Sequence, residues 1–254
     1  GLTLNQISSK GNNGQIILHD LTANQIAQLS TNVVSMMTVA QLLLKNISGN
    51  QVLQYLSATQ VGALTSTQFA GLSTLEIQKL DATGLKLPQL AYKDFIGQSV
   101  LQDLLAAQIA KLSVEVISGL TLGQISSKNN NGQMILQDLT ANQIAQLSTD
   151  VVSMMSVAQL LLKDISGNQV LQYLSATQVG ALVSTQFNGL TTQETTKLNA
   201  AGLTAEQLKY ANVSGLTVLQ ALSLIQIQRL SNVIVAVLTP DQLTEIVASI
   251  SPTQ

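Results

Sequence analysis

The chain has 254 residues, of which 46% are hydrophobic and only 9% charged, so it can bury a sizeable core but has few charges. Eleven basic residues against thirteen acidic ones give a net charge of −2, which argues against a phosphate-binding stripe of the kind nucleic acids require. The absence of cysteine excludes disulfides, thiolate metal sites and a cysteine nucleophile.

Aromatic residues are 3% and Trp is absent. Leu, Ile, Val and Ala must therefore fill the core, with Ser, Thr, Asn and Gln covering it. The most apolar run, 233–238, is far too short to span a bilayer. No leader peptide is recognisable from Gly1 onward, as in a mature or cut product.

The first predicted element opens at Leu2, but its pattern is clearest in Leu21-Thr22-Ala23-Asn24-Gln25-Ile26. With Thr22 at the N-cap, its hydroxyl can accept from the Gln25 N–H, and the Gln25 side chain can reach back to the Thr22 N–H. That is a capping box. Leu21 and Ile26 then fall at the two positions of a hydrophobic staple. One six-residue word thus predicts the start of a helix. Near-copies begin at Leu2, Leu21, Met37, Ile47, Leu56, Leu64, Leu72, Leu85 and Leu104, and again 118 residues later, from Leu120 to Leu222. Lys86, Leu105 and Val183 replace the hydroxyl, so caps are not expected there. Glu76 and Glu194 replace the glutamine, which a capping box allows.

Between Ile47 and Leu80 the apolar positions are Ile47, Val52, Leu56, Val61, Leu64, Phe69, Leu72, Ile77 and Leu80. One unbroken helix would scatter these around its circumference. A chain of one- to two-turn helices, each restarted by its own cap, can turn all of them inward. Longer helices are expected at 106–116 and 224–234. The segments 11–14 and 129–132 are turn-rich and end in Asn-Gly. Pro88 and Pro240 fall in first helical turns, where a missing N–H costs little.

Residues 1–80 match 119–198 without a gap, with 67 of 80 positions identical. A third copy begins at Leu238-Thr239-Pro240-Asp241-Gln242-Leu243. The organisation expected is a first long repeat at 1–118, a second at 119–236, and a partial third repeat or C-terminal cap at 237–254. The fold class expected is all-α, a solenoid of short capped helices built from two tandem 118-residue repeats.

Few residues suggest chemistry. His19 is the only histidine, and its counterpart is Gln137, so a surface role is expected. Asp20 and Asp138 each precede a new cap, which suggests a loop role over acid–base work. The Asn-rich loops lack the alternating acidic ligands and terminal Glu of calcium loops. Asn46-Ile47-Ser48 and Asn212-Val213-Ser214 have glycosylation spacing, a short pattern that chance often produces. The pairs Met36-Met37 and Met154-Met155 read as core filling. Tyr55, Tyr173, Phe69 and Phe187 read as large core or groove residues, and are where a bound partner would be sought first. No catalytic residue, cofactor-binding residue or metal ligand is expected.

The stretches starting at Leu21, Leu56 and Leu64 resemble the Leu-Thr-x-x-Gln-Ile/Val-x-x-Leu repeats of very large bacterial secreted and surface proteins, which are adhesin-like or filament-like. The resemblance implies an extracellular structural role and no active site. Leu238 to Leu243 and Leu21 to Ile26 also resemble the repeat openings of transcription-activator-like effectors, which read DNA. Those keep a strict repeat length and basic residues along the phosphates, whereas the spacing here varies and the charge is slightly negative. The expectation is a non-enzymatic subunit of an extracellular filament, sheath or surface layer that self-assembles head to tail. Its partners would be copies of itself, with no nucleic acid and no membrane span. The alternative is a monomeric solenoid that binds a peptide or glycan, or less readily DNA.

Overall fold

The computed structural model describes residues 1–250, the side chains of 245 and 247–250 excepted. It is all-α, built from many short helices with no sheet among the described residues. Most α-helices are one turn long; Pro240–Ile250 is the longest. Among the described residues no helix is long and apolar enough to cross a membrane. The chain divides into two compact units, residues 1–138 and 139–254. Residues 251–254, the end of the predicted third copy, lie outside the described residues.

In the first unit, helix Ala23–Ala27 shows how the sequence starts and stops each element. Thr22 Oγ1 accepts from the Gln25 N–H at 3.4 Å, and Gln25 Oε1 accepts from the Thr22 N–H at 2.9 Å. Leu21 and Ile26, the staple pair, are both buried. The helix ends in tightened i→i−3 bonds, Gln28 N to Gln25 O and Leu29 N to Ile26 O. Ser30 then starts the next helix, its Oγ accepting from the Val33 N–H. Helices this short cannot hold themselves in water, so packing against neighbours must stabilise them.

Val52, Leu56, Val61, Leu64, Phe69, Leu72, Ile77 and Leu80 are all buried, as the restarted-helix reading predicts. Phe69 meets Tyr92 with ring centroids 5.9 Å apart. Helix Thr31–Met36 packs on Ala58–Val61, which packs on the 3₁₀ turn Ala82–Gly84. There the backbones nearly touch: a Cβ added to Gly84 would sit 1.8 Å from the Ala58 carbonyl oxygen. Only glycine fits at that distance.

The second unit is built the same way. Helix Thr149–Met154 packs on Ala176–Gly180, which packs on Ala200–Gly202. A Cβ on Gly202 would lie 2.0 Å from the Ala176 carbonyl oxygen. Phe187 meets Tyr210 at 5.7 Å. Helix Pro240–Ile250 packs on Val218–Ala221 and Leu224–Ile227.

Four expectations are corrected. The hexamer at Ile47 starts no helix: residues 46–50 form a turn through Gly49, at φ 80°, and Ile47 points outward, 64% exposed. The reason is Asn46, whose Oδ1 accepts from the N–H groups of Ser48 and Asn50 and bends the backbone away from a helix. The expected longer helices are each two short ones, Ala106–Ile109 with Val114–Ser118 and Leu224–Ile227 with Asn232–Ala236. Ser113 and Ser231 restart the backbone there as N-caps. Helices do begin after Lys86, Leu105 and Val183, because the glutamine half of the box survives: each N–H donates to the Oε1 of Gln89, Gln108 or Gln186. Finally, Met37 and Met155 are core, but Met36 and Met154 are exposed.

Candidate functional site

Two recurring constructions carry the polar chemistry of the molecule. The first is a set of buried glutamines. Gln60 uses Oε1 to cap its own helix, accepting from the Ser57 N–H at 2.8 Å. Its Nε2 donates to the carbonyls of Ile26 at 2.9 Å and Leu29 at 2.7 Å, at the end of a helix 31–34 residues earlier. The carbonyls left open at one helix end are thus satisfied by the amide that caps another helix's start.

In the first unit Gln68 donates to Val34 and Met37, Gln89 to Val61 and Leu64, and Gln108 to Ile77 and Leu80. In the second, Gln178 donates to Ile144 and Leu147, Gln186 to Val152 and Met155, Gln207 to Val179 and Leu182, and Gln226 to Thr195 and Leu198. All eight glutamines are buried. Gln25 differs. Its Oε1 caps Thr22, but the residue is exposed, and among the described residues no acceptor takes its Nε2. A cleft of about 330 Å³ lies beside it, lined by Gly1, Leu2, Asn24, Gln25, Gln28 and Leu29.

The second construction is a loop at 10–16, 45–51, 93–99, 128–134, 163–169 and 211–217, each closed by an antiparallel bridge between its end residues. The fifth residue is a glycine with φ between 78° and 85°, which favours glycine over any other residue. The second residue is Asn or Asp in five of the six, and its Oδ1 accepts from the N–H groups two and four residues on, as Asn129 does from Asn131 and Gln133. In the first loop Gly11 takes that place, and Asn13 accepts from Gln15 instead.

A side chain nine residues beyond the second position closes several of these loops. Asn129 Nδ2 donates to Asp138 Oδ2 at 2.7 Å, and Tyr173 Oη donates to Asp164 Oδ2 at 2.9 Å. Tyr55 Oη accepts from Asn50 Nδ2 at 2.8 Å. Asp20 accepts from Asn13 Nδ2 and pairs with His19 Nδ1 at 3.1 Å.

These geometries place the sequence candidates. Asp20 and Asp138 tie helix to loop. The His19 contact and then the Asn13 amide hold Asp20 below the usual carboxylate range. Burial pushes Asp138 up, and the Asn129 bond opposes that. Tyr55 and Tyr173 brace loops, while Phe69 and Phe187 are core. Both glycosylation-spaced asparagines are buried, Asn46 to 2% exposure, with the amide nitrogen engaged: Asn46 Nδ2 donates to Leu21 O and Asn212 Nδ2 to Thr192 Oγ1. They are turn-forming residues.

A cavity of about 460 Å³ in the second unit is lined in part by Thr196, Asn199, Ser223, Gln226 and two basic residues, Lys197 and Arg229. Among the described residues, no three of His, Cys, Asp and Glu come close enough to share a metal ion.

The sequence reading missed the donor half of each glutamine and the unity of the six loops. A signal for the loops was present: Asn or Asp followed three residues later by Gly, at 46, 94, 129, 164 and 212. No protein-family model matches the chain, and neither the curated proteins nor the solved structures searched include a significant match.

Proposed function

We propose that the chain is a non-enzymatic structural solenoid, a tandem repeat of coils of short helices, that joins copies of itself head to tail in an extracellular filament, sheath or surface layer. The observation that carries this reading is the contrast between the eight buried glutamines described above, each donating to earlier carbonyls, and the exposed Gln25. Each buried amide is satisfied by carbonyls 25–34 residues earlier. A recurrent backward reach of that size is what a winding chain produces, one coil resting on the last. Gln25 offers the same donor with no coil to receive it, beside a largely apolar cleft.

The complementary feature is a helix end whose carbonyls receive no side-chain amide among the described residues. Ile227, the last residue of helix Leu224–Ile227, and Leu230 beyond it correspond to Ile26 and Leu29 at the end of Ala23–Ala27, and among the described residues no side chain donates to their carbonyls. A second copy that presents this end to Gln25 makes a heterologous contact, which propagates unless rotation closes it.

The test is electron microscopy of purified chain beside Gln25→Glu. Glutamate keeps the cap, as Glu194 does for Thr191, but removes the amide donor and adds a charge. Regular fibres from the parent chain and their loss in Gln25→Glu are expected. Discrete particles from both would contradict assembly.

One observation favours the alternative, a monomeric binding module for a peptide or glycan. The loop tips carry apolar residues in the open, Ile47, Phe95 and Ile96 in the first unit and Ile165 and Val213 in the second. Discrete parent particles that retain a ligand through these tips would support it.

A further inference from the structure

The loop at 93–99 differs from its five relatives in how its second residue is met. In the loop at 128–134 an amide donor faces a carboxylate, Asn129 to Asp138, and at 163–169 a hydroxyl donor faces one, Tyr173 to Asp164. The corresponding pair here is Asp94 and Asp103, acceptors both. Asp94 is 4% exposed and Asp103 is fully buried. Asp94 Oδ1 accepts from the N–H groups of Ile96 and Gln98, and Asp103 Oδ1 from Thr74 Oγ1 at 2.8 Å and from Asn130 Nδ2. The second oxygen of each carboxylate is buried with no partner.

A third orphan accompanies them, the buried Oε1 of Gln98. Gln98 is the sixth residue of its loop. The sixth residue at 45–51, Asn50, reaches Tyr55, which stands where Asp103 stands here. The sixth position thus meets the eleventh in one loop and the second meets the eleventh in two others, and among the described residues it is at this loop that all three positions end in a buried, unpartnered acceptor. Among the described residues the ion pairs are His19 with Asp20 and Lys209 with Glu206, so no basic side chain compensates either carboxylate.

We propose that Asp94 Oδ2, Gln98 Oε1 and Asp103 Oδ2 bind a calcium ion. Two buried carboxylates need a countercharge, and a divalent cation balances both. A proton shared between them would join two oxygens and leave the Gln98 oxygen open, whereas a hard cation takes all three. Carboxylate and amide oxygens in an irregular array suit calcium, which accepts six to eight ligands in flexible geometry, better than magnesium, which demands a near-ideal octahedron. The loop is distinct from the Asn-rich segments 11–14 and 129–132, where no calcium pattern is expected.

The experiment is thermal unfolding of chelator-treated full chain with and without about 5 mM calcium chloride, an excess over the affinities of extracellular calcium modules. Magnesium chloride and sodium chloride at matched ionic strength serve as controls. The same melts are run on Asp94→Asn, which recreates the donor–acceptor pair of Asn129 and Asp138 and so is expected to fold. Calcium should raise the melting temperature of the parent chain by about 2–4 °C or more, with a smaller effect of magnesium. Asp94→Asn should melt at the same temperature with or without calcium. A parent chain indifferent to calcium would overturn the proposal, and if it is also stabilised by acid the pair shares a proton instead. Retention of the full calcium response in Asp94→Asn would overturn it equally.

Discussion

Gln60 performs two tasks with one carboxamide: the oxygen caps its own helix, and the nitrogen holds the carbonyls of Ile26 and Leu29. The first task was legible in the sequence, because Ser57 stands three residues away. The second was not, because its partners lie 31–34 residues back and are backbone atoms that no residue type announces. The substitution Gln60→Glu separates the tasks. It keeps the cap acceptor and turns a carboxylate toward two carbonyls, so it should cost about 2–4 kcal/mol in urea denaturation at neutral pH. Gln25→Glu, exposed and facing no carbonyl, should stay within about 0.5 kcal/mol of the parent. Equal costs for the two would remove the special role of the buried amide. Where the sequence itself changes to Glu76, the neighbour supplies a donor, Gln51 Nε2, so the exchange of residue follows the exchange of partner.

Asp138 gives a pH dependence at the same scale. Its carboxyl titrates above the ordinary range because it is buried. Between the ordinary and the raised value, the folded chain holds a proton that the unfolded chain has released. Stability contributed by this group is therefore present below that window and falls as pH rises through it. Asp138→Asn should flatten this part of the stability–pH curve, measured by urea midpoints from about pH 4 upward. An unchanged slope would place the titration elsewhere.

At the scale of the element, the recurrent hexamer gave the helix starts, the inward set from Val52 to Leu80 and the all-α class. It failed at Ile47 because a local competitor, the Asn46 side chain, captured the very N–H groups a helix would have used. It failed at 106–116 because a single serine, Ser113, suffices to restart the backbone. Packing between elements was not legible at all. Gly84 and Gly202 look like ordinary loop glycines in the sequence, yet each lies against the first residue of a helix in its unit. Gly84→Ala and Gly202→Ala should each destabilise by about 1–3 kcal/mol, because backbone must move to admit the methyl group. Gly123→Ala, where the nearest atom is 3.9 Å away, should be tolerated. Thermal melts of the three variants decide the matter, and a neutral Gly84→Ala would show that the approach is looser than described.

At the scale of the whole molecule, eight of the short helices are bonded at both ends, by their own caps and by an amide from the coil proposed to follow. That arrangement replaces the aromatic and charged contacts that a chain with 3% aromatic and 9% charged residues cannot make. Under the proposed assembly, Gln25 is where a second copy would dock. The most direct measurement is hydrogen exchange of the glutamine side-chain amides by NMR, assigned residue by residue. The carboxamide protons of Gln60, Gln68, Gln89, Gln108, Gln178, Gln186, Gln207 and Gln226 should exchange slowly, while those of Gln25 exchange at the rate of a free side chain in dilute, unassembled protein. Fast exchange at all nine would contradict the account.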